Sequence, residues 1–162
     1  MDTAYKTTLE LDKVLARAVQ LCACQETKEM MQALEPAPTI EDERYDLAQT
    51  NAINALLIKN GSPRFGSVRE VRRIVAHARK GGILSMGELL EIAATLRNFS
   101  GLSQWYGLSE HEMLPTDDLF FALAPQPVLE KQISESIISP EEMADTASVT
   151  LHDLRRKIRL RS

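Results

Sequence analysis

The sequence predicts an all-α protein, and three observations carry that prediction. Of its 162 residues 44% are hydrophobic but only 5% are aromatic, so the apolar content is mostly aliphatic, which suits helices. Apolar side chains recur at steps of three and four along most of the chain. Helix punctuation brackets those periodic runs, with Ser or Thr ahead of them and Gly or Pro behind. A chain of this length buries a core without disulfides or metals, and no fixed repeat or low-complexity segment interrupts it.

In chain order, Leu11, Val14, Leu15, Ala18 and Leu21 place an apolar stripe on a first helix of about residues 10–22. A second helix runs from about Gln25 to Leu34 and stops at Pro36 and Pro38. Thr39 caps a long third helix whose first turn, Ile40-Glu41-Asp42-Glu43, sets carboxylates against the positive end of the macrodipole. Asn60-Gly61 ends it. After the loop "GSPRFGS", the stretch "VREVRRIVAHARKGG" reads as a helix, with Val68, Val71, Ile74, Val75 and Ala78 on the inward side. Arg69, Arg72, Arg73, Arg79 and Lys80 share the other side, and Gly81 is the C-cap. Ser85 and Glu88 form a capping box for the next helix, which turns Leu89, Ile92, Ala93, Leu96 and Phe99 inward. Short helices follow at Asp117–Leu123 and Pro127–Ile137, then the polar, turn-like "SPEEMADTAS", and a last helix capped by Ser148.

Net charge is −4, which by itself points to no polyanion. Its distribution says more. Residues 64–80 hold six Lys or Arg against one Glu, and residues 155–161 hold five against no acid. Such stripes fit either a local polyanion contact or two solvated helix faces. Cys22 and Cys24 are too close for an unstrained bridge, too few for a zinc site, and read as small buried residues of a reducing compartment. No apolar run reaches the length of a membrane span, and "MDTAYKTT" has no signal-peptide core. The expected location is the cytoplasm.

No reaction centre is legible. "RKGGILS" is the nearest approach to a phosphate-cradling loop, but its glycines follow a helix rather than a strand and no Lys-Ser/Thr pair opens the next one. His77, His111 and His152 are far apart and lack partners at ligand spacing. "EHE" at Glu110–Glu112 is a polar loop, and the pairs Asp117-Asp118 and Glu141-Glu142 read as acids at helix starts. Catalytic, cofactor and metal residues are therefore expected to be absent from this chain. The terminal "SVTLHDLRRKIRLRS" carries no stop signal, and the expectation is that the sequence is cut within a helix.

A resemblance takes the reading further. "LELDKVLARAVQLCACQETKEMMQALEPAP" (residues 9–38) resembles the start of the second bacterial MutS family, MutS-like ATPases that end in a Smr nuclease domain. The likeness continues in "GSPRFGSVREVRRIVAHARKGGILSMGELLEIAATLR" (61–97) and "DTASVTLHDLRRKIRLRS" (145–162). Two departures stand beside it. Between Ile138 and Asp145 the family has an acidic, glycine-containing turn where this chain reads "SPEEMA", which argues against a tight hairpin and leaves at most a short extended turn near 138–146. Residues 101–127 match only in helical character.

The resemblance implies a helical core, or lever, over residues 1–147 and the first turns of a coiled-coil clamp arm over 148–162, with Leu151, Leu154 and Ile158 on the seam. It implies that the ATPase domain, with its ATP and Mg²⁺ and its homodimer interface, and the Smr domain lie outside this chain. The partner implied for the whole protein is branched or recombination DNA, or the ribosomal RNA of collided ribosomes. No Phe is followed two residues later by Glu, so the mismatch-reading wedge of classical MutS proteins is missing. The nucleic-acid-facing residues are expected to be Arg155, Arg156, Lys157, Arg159 and Arg161, because no acid follows Asp153. The earlier stripe is expected to be ion-paired with core carboxylates and mainly structural. The alternative function is a stand-alone helical adaptor that binds protein partners.

Overall fold

The structure, a computed structural model, describes residues 8–160 except Phe65, Ser67 and Ser109. It contains eight α-helices among these residues: α1 Leu11–Leu21, α2 Gln25–Gln32, α3 Ile40–Asn60, α4 Arg72–Arg79, α5 Met86–Tyr106, α6 Asp117–Phe121, α7 Pro127–Ser136 and α8 Val149–Arg159. A two-stranded hairpin, β1 Ile137–Ser139 and β2 Glu142–Met143, and a 3₁₀ turn at Asp145–Ala147 separate α7 from α8. The mostly helical class is as the sequence predicts. The chain divides into two compact units, Met1–Asn51 and Ala52–Ser162, and the boundary falls within α3.

In the first unit α1 packs on α2, and the Thr39 hydroxyl accepts the Asp42 amide at 3.1 Å to start α3. Only Leu15 of the α1 stripe is buried, whereas Val14 and Leu21 face out. Neither cysteine is buried as expected. Cys22 and Cys24 are both half-buried and free, because α1 stops at Leu21 and leaves them on the link to α2. Cys24 shares a hydrogen bond with the Thr27 hydroxyl at 2.6 Å, which holds its thiol below the usual value.

The second unit is organised around α5. Ser85 accepts the Glu88 amide at 3.3 Å while Glu88 Oε2 accepts the Ser85 amide at 2.7 Å, the capping box the sequence predicts. One face of α5 buries Ala93 against Ile133 of α7 and Ile137 of β1, with Met86, Leu89, Leu90 and Ile92 around them. Arg97 fastens the rim of that contact through Glu130 at 2.5 Å and Ser134 at 3.0 Å. The far end of α5 buries Trp105 and Tyr106 with Leu56 of α3. Trp105 Nε1 donates to the Gly61 carbonyl at 2.8 Å, fixing the residue that ends α3, where φ is +72° and a glycine is favoured.

Three expectations need correction. The hairpin forms despite "SPEEMA": Ile137 pairs with Met143 and Ser139 with Glu142, with a bulge between the two pairs. Pro140 supplies the fixed φ that a turn accepts, and the Ser139 hydroxyl takes the Glu141 amide at 3.3 Å, so no glycine is needed. Consequently Glu141 lies in the turn and Glu142 on β2 rather than at a helix start. The helix expected from Val68 begins only at Arg72. Val71 is its N-cap residue and makes no side-chain capping bond.

Candidate nucleic-acid interface

The terminal basic helix is built on an anchor. Ser148 caps α8 by accepting the Leu151 amide at 3.1 Å. Arg155, two turns on, donates to Asp145 Oδ1 at 2.5 Å and to the Met143 carbonyl at 2.8 Å. Arg159 reaches the other oxygen of the same carboxylate. One acid thus joins the hairpin, the 3₁₀ turn and α8, and the two guanidinium groups hold the Asp145 carboxyl below its usual range. Among the described residues no carboxylate is within ion-pair distance of Arg156 or Lys157, which are exposed. Arg161 lies outside the described residues. Of the seam positions, Leu151 is half-buried, and Leu154 and Ile158 are 52% and 64% exposed.

The earlier stripe shows less ion pairing among the described residues than the sequence suggested. Ile74 is the one buried residue of α4, and Val75 is 42% exposed although the periodicity turns it inward. No carboxylate pairs with Arg69, Arg73, Arg79 or Lys80 among the described residues. Arg72 makes an interaction of its own within the chain. Val71, Arg72, Val75, Ala76, Arg79 and Lys80 line an open groove of about 490 Å³. The pairing expected for this stripe is found on α8 instead, because the acid that provides it, Asp145, is ten residues from Arg155, a separation no helical spacing rule connects.

The Gly-Gly turn after α4 is accounted for by packing. Gly81 has φ +81°, the Gly82 amide returns to the His77 carbonyl at 3.1 Å, and a Cβ on Gly82 would run into the His77 ring. That is a helix terminus closing on itself, its amides turned back to the helix's own carbonyls. His111 and Asp117 also have structural roles. Tyr106 donates to Asp117 Oδ1 at 2.6 Å and lies 2.8 Å from the hydroxyl of Thr116, which is fully buried. Phe120 stacks on the Tyr106 ring at 3.8 Å and His111 meets its edge at 4.8 Å. Burial and the neighbouring carboxylate push the Tyr106 phenol up, and its O–H holds Asp117 down. Among the described residues no three His, Cys, Asp or Glu side chains are grouped to hold a metal ion, and no helix is long and apolar enough to cross a membrane.

These features define a class: a helical scaffold segment whose distinguishing chemistry is cationic surface on two helices. Comparison with known proteins supplies the family. The chain is 31% identical over 98% of its length to Endonuclease MutS2 of Ruminiclostridium cellulolyticum and 29% identical over 93% to that of Clostridium beijerinckii. It is also 30% identical over 96% to Endonuclease MutS2 of Lachnospira eligens. The chain belongs to the MutS2 family over the part of those proteins that it matches, and it spans about a fifth of their length. No family model and no solved structure matches it.

Proposed function

We propose that residues 1–147 form the lever and residues 148–162 the first turns of the clamp arm of a cytoplasmic MutS-like ATPase. In this reading the ATP, the Mg²⁺ and the homodimer interface belong to parts of the longer protein outside this chain. The clamp closes on the phosphate backbone of branched DNA or of ribosomal RNA. The observation that carries the reading is the Asp145 anchor. It ties the second half of α8 to the hairpin and the 3₁₀ turn through Arg155 and Arg159, while Arg156 and Lys157 between them have no carboxylate partner among the described residues and Leu154 and Ile158 stay exposed. A helix held along one side, with an apolar edge open to a second helix and cations on its solvent side, is what the start of an arm requires.

Of the five residues expected at the nucleic acid, Arg156 and Lys157 act as the direct contacts. Arg155 and Arg159 combine contact with anchoring, and Arg161 is the fifth contact proposed. Phosphate contacts position without reading sequence. Replacing Arg156 and Lys157 by Ala should lower the slope of log affinity against log salt by about two on any sequence; an unchanged slope removes α8 from the interface. Crosslinking the complete protein in cells decides the substrate, since recovery of chromosomal DNA or of ribosomal RNA selects one.

The adaptor reading has one specific observation behind it. In the first unit, Leu11, Leu15, Leu34, Pro36, Ile40 and Leu47 line an open, mainly apolar cleft of about 780 Å³. Co-purification of a protein partner that L15D and L47D abolish, with no nucleic acid recovered, would favour it.

A further inference from the structure

We propose that the outward face of α4 is a second contact, made with the backbone of duplex DNA across its major groove. The inference rests on the nucleic-acid reading above but on a different helix. Arg72 and Arg79 are seven residues apart, as are Arg73 and Lys80. Seven residues is nearly two full turns, so each pair lies on one line along the helix, its members about 10.5 Å apart. The four cations thus form two couples, Arg72 with Arg73 and Arg79 with Lys80, one at each end of α4. Ala76 stands between them, and no cation stands at the centre.

The surroundings leave three of the four cations available, Arg72 having an interaction of its own within the chain. Ile74 faces the core, opposite the four cations, and Arg73, Arg79 and Lys80 have no carboxylate partner among the described residues. Glu70, the single acid between residues 64 and 80, precedes the helix. Between the couples the groove is floored by Val71, Val75 and Ala76, so the centre has nothing to compete for phosphate and nothing to read a base edge.

The spacing selects the form of nucleic acid. The major groove of B-form DNA is about 12 Å wide, so a helix of this length lying across its mouth sets one couple on each bounding backbone. The A-form major groove of duplex RNA is deep and narrow and does not offer two rims at that separation. Single strands are held largely by stacking on aromatic side chains, and α4 carries no Phe, Tyr or Trp.

The test is binding of the full chain to a DNA duplex, a duplex RNA of matching sequence and the single strands, titrated over salt. Replacing Arg73, Arg79 and Lys80 by Ala should lower the DNA salt slope by about three and weaken binding by about tenfold or more at moderate salt. The wild-type chain should bind the DNA duplex tighter than the RNA duplex. The R73K/R79K variant should retain the wild-type slope, which separates charge from packing, and unchanged helicity by circular dichroism confirms that the triple variant folds. An unchanged slope in the triple variant overturns the proposal, as does equal affinity for duplex RNA or single strands. Because R156A/K157A is measured in parallel, failure of α8 as a contact and failure of α4 are told apart.

Discussion

Helices α4 and α8 have nearly the same composition of charge and opposite electrostatic circumstances. In α8 two of the cations are tied to Asp145 and fix the helix to the hairpin before it. In α4 the helix is held by a buried isoleucine, and Arg73, Arg79 and Lys80 find no carboxylate among the described residues. The difference teaches that a basic stripe can be a fastening or an unused surface, and that only the position of the nearest acid distinguishes the two. It also inverts the intuition that a basic helix beside many acidic residues must be neutralised by them, since ion pairing needs a carboxylate within about 4 Å and a side chain able to hold it there.

Breaking the apolar anchor should have the largest effect. Replacing Ile74 by Ala should cost about 2–4 kcal/mol where the site cannot collapse. The cost should appear in hydrogen exchange as early loss of protection over residues 72–79 while α8 is unaltered. Equal loss in both helices would mean that α4 and α8 are not anchored independently.

The cap comes next. Ser148→Ala removes the acceptor of the Leu151 amide and should cost about 1 kcal/mol, read as faster exchange in the first turn of α8. No change would mean that the Asp145 anchor alone sets the start of the helix.

A smaller effect should follow Asp145→Asn, and its pH dependence sharpens the contrast. The folded pKa of Asp145 lies below its unfolded value, lowered first by Arg155 and then by Arg159. Its stabilisation is therefore complete above the unfolded pKa and is lost as pH falls through the folded one. Exchange in α8 should quicken only in acid, below the ordinary carboxylate range, and the Asn variant should lose that acid-dependent step. Helix α4, whose Arg73 and Arg79 have no such pair among the described residues, should show no matching step over its last turn; a parallel transition in both would tie the helices to a shared titrating group.

The smallest effect on stability should come from the α4 cations themselves. Arg73→Ala or Lys80→Ala should shift unfolding by no more than about 0.5 kcal/mol, as for exposed residues without partners. A loss well above that would identify an ion pair within the fold and return the stripe to a structural role.

Local chemistry was enough for much of the architecture. The Ser85–Glu88 box, the Ser148 cap and the Thr39 cap all depend on groups within four residues of one another, so spacing alone specifies them. The same holds for α7, where Pro127 opens the helix. The family likeness, too, was carried by stretches of sequence.

What the tertiary structure alone decided is where charges and apolar faces meet a partner. Asp145 reaches Arg155 and Arg159 because a hairpin and a 3₁₀ turn fold back along α8, an approach with no sequence period. Periodicity turned Val75 inward, but a neighbouring element has to be present to bury it, and Val75 is left 42% exposed. Tyr106 and Asp117, eleven residues apart, meet where Phe120 stacks on the Tyr106 ring. Sequence determines which groups a helix displays on each face, since that is a property of 3.6 residues per turn; whether a displayed group is buried, paired or left open depends on contacts between segments distant in the chain.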